Sequence, residues 1–144
     1  ETVDFDPGPE IEEESTDTYG CVFLSKFSQS VDFQWVWTGN DTSSDNGHDI
    51  CLTPDGNPVI VGGLSGPYTT SVSQDGSLLW TSSWINYSGP DSARGIDIDA
   101  TGNVYVIGHF GGIADFNPGP GIEYHASNGE DDAFLCMLTP DGDW

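Results

Sequence analysis

Apolar residues in this chain fall in short runs, rich in Val, Ile, Tyr, Phe and Trp, separated by clusters of turn-forming residues. No stretch of ten or more residues keeps a clean helical period, so the pattern predicts β-strands throughout. Two kinds of hairpin recur. In the first, residues 49–62 line up with residues 95–108 at an offset of 46. Each copy reads as a short strand, a tight Gly-Asn turn and a second apolar strand, here named strands A and B. The second kind appears three times, as residues 23–27 with 30–35, 71–73 with 75–80, and 134–138 with 141–142. Its strands are C and D.

The turn positions of the second hairpin, Ser30, Asp75 and Asp141, lie 45 and 66 residues apart. The longer interval holds a segment that the chain states twice. Residues 3–12 read VDFDPGPEIE and residues 114–123 read ADFNPGPGIE, and the same offset of 111 relates Phe5 to Phe116 and Phe23 to Phe134. The repeated phrase is therefore a long excursion between strands B and C. The predicted order is C-D, then A-B-C-D, then A-B-C with a truncated D. Four short antiparallel strands about every 45 residues is the rhythm of a β-propeller blade. The expected fold is all-β, about two and a half propeller-like blades, with residues 1–39 as a half blade carrying DFDPGP. Residues 47–84 form the second blade, and residues 93–144 the third with the DFNPGP excursion. Trp35, Trp37, Trp80 and Trp84 are expected between blades.

The DFDPGP and DFNPGP segments, the strands VFLSKF and AFLCML, the DGSLLW turn and strand, and GIDIDATGNVYVIGHF together resemble a known family. They look like the SBBP-type β-propeller repeats of large secreted and surface proteins of bacteria. The resemblance covers most of the chain, with the middle blade the most degenerate. It implies a propeller architecture and an extracellular or cell-surface location. The family has no shared catalytic residues, so the resemblance implies no chemistry.

Charge narrows the partners. The chain of 144 residues carries 24 acidic side chains against Lys26 and Arg94, a formal net charge of −22. With no basic surface to displace counterions, nucleic acid and anionic membrane are poor partners. Solubility alone accounts for such a charge, as does the binding of divalent cations. No apolar run reaches a membrane-spanning length. Glu1 is not an initiator Met, and the expectation is a piece of a longer or processed chain.

Candidate sites follow from the repeats. Asp4 and Asp6, and likewise Asp115 and Asn117, place two oxygen-bearing side chains on one face of an extended segment. That spacing suits Ca²⁺, and it equally suits an ordinary turn before Pro-Gly. Asp97-x-Asp99 opens like a calcium loop but lacks the distal Glu and sits at a hairpin turn. Two N-glycosylation sequons begin at Asn40 and Asn86, 46 residues apart like the blades. Cys21 and Cys51 replace acidic positions of the repeat (Asp132 and Asp97), which makes them the best candidates for a disulfide; three separate buried thiols, with Cys136, is the other reading. His48, His109 and His125 are scattered, and no nucleophile elbow, phosphate loop or HExxH motif occurs.

Two functional readings are expected from these features. In the first, the protein is a non-enzymatic structural repeat. The strand at residues 21–27 lacks its A and B neighbours, and an apolar edge of this kind pairs with strands from elsewhere. Head-to-tail association with copies of itself then gives a ring or a filament, glycosylated and calcium-stabilised. The second reading is a carbohydrate- or protein-binding module, lectin- or adhesin-like, of a larger secreted protein, in which Tyr68, Trp84 and Tyr87 stack on glycans.

Overall fold

The computed structural model describes residues 2–15, 20–39, 46–63, 66–86 and 91–144. The described chain is all-β, with several small antiparallel sheets, none of them closed on itself. Among the described residues no helix is long and apolar enough to cross a membrane.

Among the described residues, twelve strands build four sheets. β1 (Thr2–Asp4) pairs with β2 (Glu13–Ser15) in a small hairpin. β3 (Phe23–Phe27) and β4 (Phe33–Thr38) form sheet I. Sheet II is a four-stranded meander of β5 (Gly47–Leu52), β6 (Pro58–Gly63), β7 (Pro67–Val72) and β8 (Leu78–Ser83). Sheet III runs β10 (Ser92–Ile98), β11 (Val104–Asp115) and β12 (Tyr124–Leu138), with β9 (Ile85–Asn86) added to the far end of β11. The A-B-C-D order read from the sequence is thus found complete in sheet II. In sheet III, strands B and C extend outward as one long hairpin whose tip is the second copy of the repeated phrase. β1 and β2 are the same tip in the first copy: Thr2–Asp4 against Glu13–Ser15 matches Ile113–Asp115 against Tyr124–Ala126 in register.

One turn closes five hairpins, of both kinds. Residues 28–32, 53–57, 73–77, 99–103 and 139–143 share a pattern: Ser, Thr or Asp first, a left-handed residue fourth. In each, the N–H of the fourth residue donates to the carbonyl of the first, at 2.8–3.0 Å. The first N–H donates to the fifth carbonyl, and the side-chain oxygen of the first residue accepts the fifth N–H at 3.0–3.1 Å. This is a type I turn followed by a left-handed bulge residue, a three-residue hairpin loop. Where the first residue is Asp99, hydrogen bonds from Thr101 and Asn103 hold its carboxyl well below the usual carboxylate range.

The fourth position is Gly56, Gly76, Gly102 and Gly142 in four turns, with φ between 83° and 90°. The fifth turn has Val31 there, at φ 68°. A β-branched residue in this region is strained by about 1–2 kcal/mol. Val31 is exposed and contributes little burial, so Val31→Gly is expected to stabilise the fold by about 1 kcal/mol, after the extra unfolded-state entropy of glycine is deducted. Urea denaturation of the two proteins checks it; a destabilised glycine variant would mean that Val31 is held by packing.

The three larger sheets stack face to face. Alternation along β6 divides its side chains between two neighbours: Ile60 packs with Val22 and Tyr68 toward sheet I, while Val59 and Val61 join the larger cluster with Val104, Val106, Phe134 and Leu138 of sheet III. Sheet II is buried on both faces. This explains why β6 and β7 are buried along their whole length.

Candidate functional site

The features that set this molecule apart are its seams between sheets and the two faces left outside them. Each seam has the same polar lock. Trp35 of β4 donates its indole Nε1–H to the Gln74 carbonyl of the next sheet at 2.9 Å, and Trp80 of β8 donates to the Pro140 carbonyl at 3.0 Å. Both acceptors lie in the C–D turn of the following sheet, two residues before its left-handed glycine. The indoles lie against those glycines: a Cβ at Gly76 would come 3.0 Å from Trp35 Cδ2, and one at Gly142 only 2.6 Å from Trp80 Cδ2. Lys26 adds a second donor to the first lock, with Nζ 2.8 Å from the Gln74 carbonyl and 5.8 Å from the Trp35 ring centroid. In the second seam Ser82 Oγ donates to the Gly142 carbonyl at 2.7 Å.

The DFNPGP tip forms a further lock on the second seam. Trp84, buried just beyond β8, donates its Nε1–H to the Phe116 carbonyl at 3.0 Å. Phe116 packs edge-on to Phe110 and Phe134 with centroids 5.0 and 5.2 Å away, and Trp84 lies 6.1 Å from Phe134. β9, directly after Trp84, pairs with Ala114 and Asp115. The excursion is therefore the surface on which the preceding sheet's last strand comes to rest.

The two outer faces carry the same residue pattern as the seams. On strand C, the positions that face the preceding sheet are Tyr68, Thr70 and Val72 in sheet II and Phe134, Cys136 and Leu138 in sheet III, all buried. Their counterparts in sheet I include Phe23 and Phe27, which stand 55% and 39% exposed. The positions that face the following sheet include Val59, Val61, Thr69 and Ser71, each at most 1% exposed. Their counterparts in sheet III include Ile107, Leu135 and Met137, exposed by 52%, 70% and 48%. Among the described residues β3 pairs only with β4, so its other edge presents unpaired backbone groups.

The candidate cation ligands lie at the two excursion tips. Asp4 Oδ1 accepts the N–H of Asp6 at 3.1 Å and of Glu12 at 3.0 Å, and Asp6 Oδ1 accepts that of Gly8 at 2.7 Å. Asp115 Oδ1 accepts the N–H of Asn117 at 3.1 Å and of Glu123 at 2.8 Å, and Asn117 Oδ1 that of Gly119 at 2.8 Å. The two copies thus close by one and the same hydrogen-bond network, as turn-forming Asp and Asn residues do. Among the described residues no group of three or more His, Cys, Asp or Glu is gathered to hold a metal ion.

Cys21, Cys51 and Cys136 are free thiols, and the Cys21–Cys51 bridge expected from the sequence is not formed. Burial pushes the Cys136 thiol up to about 11, and burial together with the Glu14 carboxylate raises that of Cys21. The sequon at Asn40 lies outside the described residues. Asn86 belongs to β9, where its backbone faces Ala114, while Tyr87 and Ser88 of its sequon lie outside the described residues.

Trp84 and Tyr68, expected as sugar platforms, are both buried. Trp84 belongs to the seam, and the Tyr68 hydroxyl donates to the Asn46 carbonyl at 3.2 Å. His48 joins the first strands of sheets II and III: Nδ1 lies 2.7 Å from the Ala93 carbonyl and 3.1 Å from Ser92 Oγ, and Arg94 Nη1 lies 3.3 Å from Nε2. A carbonyl only accepts, so Nδ1 carries the proton, and this ring is no base for Ser92.

Sequence reasoning set Trp35, Trp80 and Trp84 between neighbouring units, as found, but missed the seam lock itself and the docking of Trp84 on the excursion. Register holds the signal for the second. Trp84 corresponds to Gly39, 45 residues earlier, as its backbone shows: Trp84 N–H donates to the Pro67 carbonyl and Gly39 N–H to that of Val22, also 45 apart. The large residue occurs only where the following sheet carries an excursion. No family model matches this chain, and no curated protein matches it.

Proposed function

We propose that this protein is a non-enzymatic structural module of β-propeller type that builds an extended array by stacking further sheets of its own kind, head to tail. One observation carries this reading. The apolar residues on its two outer faces occupy the positions that are fully buried in its internal seams. A face made of Ile107, Leu135 and Met137 and another made of Phe23 and Phe27 are costly to leave in water. The two are the opposite halves of one seam, which is the geometry of a heterologous contact. The open edge of β3 supports the same reading, because an incoming sheet supplies strands to pair with it. The resemblance to surface-protein repeats favours a location outside the cell for such an array.

Light scattering over a range of about 1–500 μM, in the span where standard interfaces assemble, tests it. The expected result is a mean mass that rises with concentration and falls back to the monomer on Leu135→Asp, a substitution on an exposed position that leaves the internal seams intact. A mass that stays monomeric across the range counts against the reading.

A further inference from the structure

We infer that the first copy of the repeated phrase is a docking socket for an extended segment that carries a tryptophan, supplied by the sheet that covers the front face of sheet I. The inference rests on the stacking reading above and specifies what the covering sheet must bring.

The second copy shows the socket filled. There the Phe116 carbonyl accepts the Trp84 indole, the Phe116–Phe134 ring pair forms the floor, and β9 pairs with the strand edge at Ala114 and Asp115. Every one of these parts has its counterpart 111 residues earlier. Phe5 and Phe23 form the ring pair, with centroids 5.0 Å apart. The Phe5 N–H donates to the Glu12 carbonyl at 2.9 Å, as the Phe116 N–H does to that of Glu123 at 2.9 Å. The Asx network is reproduced bond for bond, so the Phe5 carbonyl is held in the same loop conformation as its counterpart. Among the described residues no donor meets that carbonyl, and no strand pairs with the edge at Val3 and Asp4 opposite β2. Phe116 and Phe134 are buried under Trp84, whereas Phe5 is half-buried and Phe23 mostly exposed.

The occupant is therefore an extended segment of the type Trp-x-x, its indole on the Phe5–Phe23 floor and its next two residues added to the edge of β1. A second copy of this chain cannot supply it from Trp84, which is already spent in its own seam. Val31 adds a restriction. It stands where Gly76 and Gly142 leave room for the inner indole, so the incoming strand carries a residue smaller than Trp four places before its socket tryptophan.

The test uses a peptide of residues 81–86 of this chain, the segment that fills the second socket, with a fluorinated indole. It is titrated into the full chain and into the Leu135→Asp variant, and followed by ¹⁹F NMR. Expected is saturable binding in the millimolar range, as suits a six-residue ligand, weakened at least about tenfold by Trp→Ala in the peptide, read by competition, and by Phe23→Ala in the protein. The peptide substitution leaves the protein untouched, so a folding defect in Phe23→Ala does not decide the matter. No saturable binding up to about 10 mM, or binding indifferent to the indole, overturns the inference. Concentration-dependent association without peptide binding removes this inference alone, and peptide binding to a strict monomer removes the array alone.

Discussion

Replacement of Trp84 by alanine is expected to lower the free energy of unfolding by about 4 kcal/mol, the range for truncating a buried large aromatic. The side chain is 3% exposed and sits between Phe134 and the tip of the excursion. Its removal empties part of the second seam and leaves the Phe116 carbonyl, buried at that point, without its donor. A domain of this size holds about 5–15 kcal/mol in total, so the variant is expected to be partly unfolded at physiological temperature. Trp84→Phe separates the two contributions: it keeps most of the apolar contact, loses the N–H, and is expected to cost about 1–2 kcal/mol. Urea denaturation followed by circular dichroism reads both. A loss below about 1 kcal/mol for alanine would show that the excursion does not lean on the preceding sheet.

Gly142→Ala is expected to cost about 3 kcal/mol, from two additive causes. The residue has φ 84°, where any Cβ is penalised by about 1 kcal/mol. Its Cβ would also stand 2.6 Å from the ring of Trp80, so the indole must move off its lock on the Pro140 carbonyl, an overpacking cost of about 1–3 kcal/mol. Gly76→Ala has the same conformational penalty at φ 90° but a looser contact, 3.0 Å from Trp35, and is expected to cost less. Gly129, with nothing within 4 Å of its would-be Cβ, is the control and should tolerate alanine. Denaturation midpoints in the order Gly142, Gly76, Gly129, lowest first, are the expected result. Equal losses at Gly142 and Gly76, with Gly129 unaffected, would mean that backbone conformation alone matters and that the lock is weak.

These expectations locate stability in the contacts between neighbouring sheets, as in other repeat architectures, where each unit is secured chiefly by the one beside it. They also connect stability to function, because the same contacts, left open at the two ends, are what a further sheet would use.

Much of the fold was legible because its information is local. The turn that closes five hairpins is specified within five residues, by an oxygen-bearing first residue and, in four cases, a glycine in fourth place. The offsets of 46, 111, 45 and 66 aligned strands that the structure pairs in the expected order. The bond between Asp4 and its own loop spans eight residues at most. It was foreseeable as turn chemistry, although the same spacing also read as a calcium site.

The exposure that the lectin-like reading expected of Tyr68 and Trp84 failed for a physical reason, whereas Trp84, also expected between neighbouring units, is found there. Alternation tells which side chains share a face of a strand, yet apolar burial has no direction and does not say which neighbour covers that face. In sheet II both faces are covered, so the alternation gave no inside or outside. The locks at Trp35, Trp80 and Trp84 join residues 39, 60 and 32 positions apart, and their partners are backbone carbonyls, which every residue has and no side-chain pattern marks. The sequence alone determined the strands, their turns and their repeat, since each depends on a few adjacent residues. Only the tertiary structure decided which carbonyl meets which indole and which apolar faces stay open, since those depend on how separate sheets come to rest against one another.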